Sequence, residues 1–139
     1  MAEKTAPIPL SQTKLHRPPL TRDLVPRKRL LDHLEYHRWR PLTLVSAPAG
    51  YGKSTLICHW LEICEWPSSW ISLDEYDSDL RQFLTYLVAA VRTLFPEVCR
   101  TVQSMLNATD LPPVPVLARG LVNELDRAGS PGAPITDPP

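Results

Sequence analysis

Residues Leu42 to Trp60 read LTLVSAPAGYGKSTLICHW. The stretch has three parts of different physical character. Leu42-Thr43-Leu44-Val45-Ser46 is a short run rich in strand formers. Ala47-Pro48-Ala49-Gly50-Tyr51-Gly52 is a turn-rich segment. From Lys53 to Trp66, apolar Leu56, Ile57, Trp60, Leu61 and Cys64 fall on one helical face, and Pro67 stops the run. Strand, glycine turn, Lys-Ser and amphipathic helix form the order that a phosphate-binding loop requires. Ala47 to Ser54 fit the pattern GxxxxGK[ST], with Ala47 in place of the first glycine.

The chemistry expected of this loop is local. Gly50 and Gly52 permit positive φ, which turns backbone N–H groups inward. Those N–H groups and the positive end of the following helix dipole favour phosphate. Lys53 supplies a point charge for the β and γ oxygens, and the Ser54 hydroxyl is the expected ligand for Mg²⁺. Ala47, Ala49, Tyr51 and Thr55 complete the expected nucleotide-binding set.

Outward from the loop, Ser69-Trp70-Ile71-Ser72-Leu73 reads as a second short strand. Leu80, Phe83, Leu84, Leu87, Val88, Val91, Leu94 and Phe95 form a 3.6-residue stripe. Asp77 or Ser78 is the expected cap of that helix, and Pro96 closes it. Weaker helical patterns cover 97–107 and 114–127. Upstream, Leu30, Leu31 and Leu34 suit a short helix ended by Pro41. Residues 1–26 read as an extended proline-rich arm, since Pro18-Pro19 and Pro26 forbid a continuous helix.

Composition bounds the class. The chain has 139 residues, 15 basic and 15 acidic side chains, and 43% hydrophobic residues. These values exclude a wholly disordered or collagen-like chain. Sixteen prolines stand against five glycines, and only Pro41, Pro48, Pro67 and Pro96 fall within 27–111. No stretch approaches the roughly 18 apolar residues of a membrane span. The N-terminus lacks the apolar core of a secretory signal, so a cytoplasmic protein is expected. Cys58, Cys64 and Cys99 fit reduced, partly buried thiols rather than a zinc site. His33 and His37 share a helix face without an acidic partner at metal-binding spacing, and read as surface residues. Residues 1–40 carry nine basic and four acidic side chains. That surplus suits a solvated face beside a phosphate site, with nucleic acid as the less favoured partner.

The loop and its flanks resemble the MalT-like regulators. These are large bacterial LuxR-family transcriptional activators with an N-terminal STAND-class ATPase module and a C-terminal helix-turn-helix. Upstream, Lys14-Leu15, Pro18-Pro19 and Leu24-Val25-Pro26-Arg27 are similar to the family's opening segment. Downstream, Trp70-Ile71-Ser72-Leu73-Asp74-Glu75, Asp77, Phe83-Leu84 and Leu121-Val122-Asn123-Glu124-Leu125 are similar to its next elements. The resemblance implies ATP or ADP with Mg²⁺ as a regulatory switch, with the segment around Val25-Pro26-Arg27 beside the adenine and Arg27 in the nucleotide-binding set. It implies self-association as a further partner mode. DNA would be met only through a C-terminal domain outside these residues.

The expected fold is therefore an α/β P-loop NTPase-like three-layer fold, incomplete because its acidic-ended Walker B strand and later strands are absent. Its expected division is an arm over 1–26, a partial P-loop domain over 27–127 and a disordered tail over 128–139. In the family the acidic-ended strand follows the helix near Leu125, yet 128–139 read AGSPGAPITDPP. The chain is thus expected to be an N-terminal fragment, and hydrolysis by it alone is not expected. Two alternatives stay open. A small P-loop kinase or GTPase would use Asp74 as its Mg²⁺-directing acid. A non-catalytic truncated product would act only through protein association.

Overall fold

The computed structural model describes residues 9–129. Among the described residues, five α-helices run in chain order: α1 Lys28–Tyr36, α2 Lys53–Cys64, α3 Leu80–Leu94, α4 Arg100–Leu106 and α5 Val114–Gly129. Short 3-10 turns occupy Gln12–Leu15 and Glu75–Ser78. Among the described residues there is no β-strand. The expected α/β three-layer fold is therefore overturned, and what is built is helical. A strand exists only through its ladder partner. Among the described residues, 42–46 make no backbone hydrogen bond to another segment. Among the described residues, 69–73 make one, from the Ser72 N–H to the Lys14 carbonyl at 2.8 Å, too little for a ladder.

The chain divides into two compact units. The first combines residues 1–16 with 69–139, and the second is Arg17–Ser68. In the first unit, α3, α4 and α5 enclose Val88, Cys99, Val102, Leu106 and Leu117. Leu84, Val91, Met105 and Leu121 pack around them. A Cβ on Gly120 would stand 3.3 Å from the Val102 side chain, so α5 approaches α4 closely there. The helix expected from the α3 stripe is present, and Leu84, Val88 and Val91 of the stripe reach the core. Phe95 lies past the helix end and is exposed, whereas Tyr86 and Ala90 from outside the stripe are buried. The cap is Asp79, whose carboxylate accepts from the Gln82 N–H at 2.9 Å. Asp77 and Ser78 do not cap α3. Asp77 instead accepts from the Asp74 N–H at 2.8 Å within the preceding turn. Lys14 beside Asp77 holds its carboxyl below the usual carboxylate range.

The start of α4 is capped from another helix. Its own cap residue, Cys99, is fully buried in the left-handed conformation at φ 63° and makes no side-chain cap. Glu124 of α5 accepts from the Thr101 N–H at 3.0 Å and the Val102 N–H at 3.2 Å. Burial pushes the Glu124 carboxyl up, yet these N–H bonds outweigh it and the net shift is downward. A depressed carboxylate stabilises fully above its unfolded value and loses that contribution as pH falls through its folded value. Glu124→Ala is expected to cost about 1 kcal/mol, as for other lost caps. Urea unfolding at pH 7 and again near pH 3 checks this, because the mutational difference must shrink at the lower pH.

The second unit is built on α1 packed against α2. Its buried apolar residues are Leu34, Leu56 and Cys58. The Trp60 indole N–H donates to Glu35 at 3.0 Å, and the Arg38 guanidinium sits 4.5 Å over the Trp66 ring. Beyond this small core, Leu42 and Leu44 are 81% and 85% exposed, so the apolar run before the loop lies in solvent. The expected extended arm contains the Gln12–Leu15 turn, and residues 1–8 lie outside the described residues. Of the expected disordered tail, Ala128 and Gly129 belong to α5, and 130–139 lie outside the described residues. No described helix is long and apolar enough to cross a membrane.

Candidate functional site

The loop between Ala47 and Lys53 lies wholly in the second unit. Gly50 has φ 84° and Gly52 has φ 75°, ψ 30°, both in the left-handed region. An L residue is strained there by roughly 1–2 kcal/mol, which explains both glycines. The Tyr51 N–H donates to the Pro48 carbonyl at 3.4 Å and closes a turn. Gly52 is the cap residue of α2 and makes no side-chain cap bond, and its carbonyl accepts the first helical bond from the Leu56 N–H at 2.9 Å. The first amides of an α-helix have no intrahelical partner. At α2 these belong to Lys53, Ser54 and Thr55.

Lys53 folds back over the loop. Its ammonium donates to the Ala47 carbonyl and, at 3.3 Å, to the Pro48 carbonyl. Ser54, Thr55, Ala49, Gly50 and Tyr51 are exposed, Tyr51 at 60%. The Arg27 guanidinium lies 3.4 Å from the point a Gly52 Cβ would occupy. The structure thus brings Arg27, Gly52 and Thr55 together at one cavity of about 170 Å³. Ala47, Ala49, Gly50, Tyr51, Lys53 and Ser54 do not line that cavity and form the loop and helix start next to it.

The cavity also includes residues that sequence reasoning missed. These are Thr21, Asp23 and His59 of α2, while Val25 comes from the segment that the resemblance places beside the nucleotide. His59 had a readable signal, because it follows Thr55 by four positions on one helix face. Thr21 and Asp23 had none, since they sit in the proline-rich arm.

Asp74 belongs to the first unit, and its carboxylate is engaged there. It accepts from the Tyr76 N–H at 2.9 Å and pairs with Lys14 at 2.8 Å. That engages the carboxylate that a kinase or GTPase would need. His37 Nδ1 lies 3.0 Å from the His33 carbonyl, so the two histidines are tied along α1. Cys58 and Cys99 are buried, and burial pushes both thiols up. Among the described residues, no group of three or more His, Cys, Asp or Glu side chains is placed to hold a metal ion.

No family model matches the chain. Over 83 residues, 60% of its length, the chain is 43% identical to the HTH-type transcriptional regulator MalT of Yersinia pestis (strain Pestoides F). Over the same length it is 45% identical to the regulator of that name from Yersinia enterocolitica. The match spans 9% of each regulator's length. The expected resemblance is present: the chain carries a segment homologous to MalT-like transcriptional regulators.

Proposed function

We propose that this MalT-like chain is a nucleotide-binding segment of a transcriptional regulator, with ATP or ADP held at Gly50–Thr55 as a regulatory switch. The observation that carries the reading is the left-handed pair Gly50 and Gly52 leading directly into the uncapped start of α2, with Lys53 over the loop. The donor set fits phosphate: free helix amides, one ammonium and one guanidinium, all cationic or N–H donors. Bound Mg²⁺ would neutralise phosphate charge, and the exposed Ser54 hydroxyl at the second helical position would hold it. The adjoining cavity suits one planar base, with Thr21, Asp23 and His59 as its polar wall. In this reading Lys53 and Arg27 bind and orient phosphate, and the loop amides turn it towards the helix. Hydrolysis is not assigned to these residues. DNA contact belongs to a part of such a regulator outside them.

Titration of the purified chain with ATP, ADP and GTP, each with Mg²⁺, tests the reading. Saturable adenine-selective binding supports it. No binding of any of the three, or a preference for GTP, overturns it.

A further inference from the structure

The first unit is discontinuous: the chain leaves it after His16 and returns to it at Ser69. One side chain fastens both crossings. Lys14 lies two residues before the exit, and its side chain is 17% exposed. Its ammonium pairs with Asp74 at 2.8 Å and with Asp77 at 2.7 Å, and the Asp77 side chain is 2% exposed. The same ammonium stands 5.1 Å from the centre of the Tyr86 ring. Backbone bonds complete the join. The Ser72 N–H donates to the Lys14 carbonyl at 2.8 Å, and the Ser11 N–H donates to the Tyr86 hydroxyl at 2.9 Å.

We infer that Lys14 is a charge latch that holds the outgoing and returning chain of the first unit together, and so closes residues 17–68 into a loop. The latch works through one largely buried ion pair. Removing Lys14 leaves the Asp77 carboxylate buried with N–H donors from Asp74 and Gln82 but without its counter-charge.

Lys14→Met and Lys14→Arg in the full chain test the latch, whether or not the chain binds nucleotide. Loss of the charged hydrogen bonds is expected to speed exchange of the Ser11 and Ser72 amides at least about tenfold in Lys14→Met, with Arg100–Leu106 unchanged. Lys14→Arg is expected to restore most of that protection, which a mere packing role would not predict. Unchanged exchange at Ser11 and Ser72 overturns the latch. If Lys14→Met does not fold, Asp74→Asn, at the more exposed end of the pair, is expected to move the same readouts in the same direction, and no movement overturns the latch.

Discussion

Lys53→Ala is expected to weaken ATP binding by at least tenfold and up to about a hundredfold, since each hydrogen bond to a charged group contributes roughly 1.5–3 kcal/mol. The substitution separates binding from folding unusually well. Alanine is the best helix former, so the first position of α2 gains propensity. The lost ammonium leaves the Ala47 and Pro48 carbonyls without that donor, but Pro48 is exposed and water replaces it there. Far-UV circular dichroism should therefore stay the same while isothermal titration shows the loss. Lys53→Arg should keep part of the affinity, because it keeps the charge while changing its shape. Equal affinity in Lys53→Ala and the parent chain would sink the loop as the phosphate site.

Leu117→Ala should have the largest effect on stability. Leu117 is 2% exposed and lies in the cluster of Val88, Cys99, Val102 and Leu106. Large-to-small changes at such sites cost roughly 2–5 kcal/mol, from lost burial and from the cavity left behind. A small domain holds only about 5–15 kcal/mol in total. The neighbourhood also collapses poorly around a void. Cys99 is fixed in a left-handed conformation, and α5 already approaches α4 closely at Gly120. The control is Val122→Ala on the same helix, where the side chain is 62% exposed and a change within about 0.5 kcal/mol is expected. Urea midpoints for both variants check the contrast. A Leu117→Ala midpoint equal to that of Val122→Ala would show that α5 does not supply the core as described.

What could be read from the sequence follows from the range of the interactions involved. The α3 stripe was legible because a helix closes its own hydrogen bonds within four residues. The break after Cys64 was legible through Pro67. LTLVS and SWISL have strand composition, but a strand needs a partner, and composition carries no information about whether one arrives. Asp77 looked like a helix cap because it precedes an apolar stripe by the right distance. Its real partner is Lys14, 63 positions away, and no local pattern points there. The turn was legible in its backbone, since Gly50 and Gly52 take the positive φ expected of them and α2 starts at Lys53. The cavity beside it was half legible: Arg27 came from the resemblance, whereas Thr21 and Asp23 reach the site only through the path of the folded arm.

The interrupted layout of the first unit also orders events during synthesis. Ser11 and Lys14 are made early, yet Tyr86 follows Ser11 by 75 positions and Asp77 follows Lys14 by 63. At about 5–20 residues per second, the ribosome needs on the order of 3–13 s to supply Asp77 after Lys14. During that interval Arg17–Ser68 is complete and can collapse on its own short-range contacts. The beginning of the chain is then among the last parts to find its place, and a nascent chain halted before Asp74 would carry the finished loop with its leading segment still unmoored.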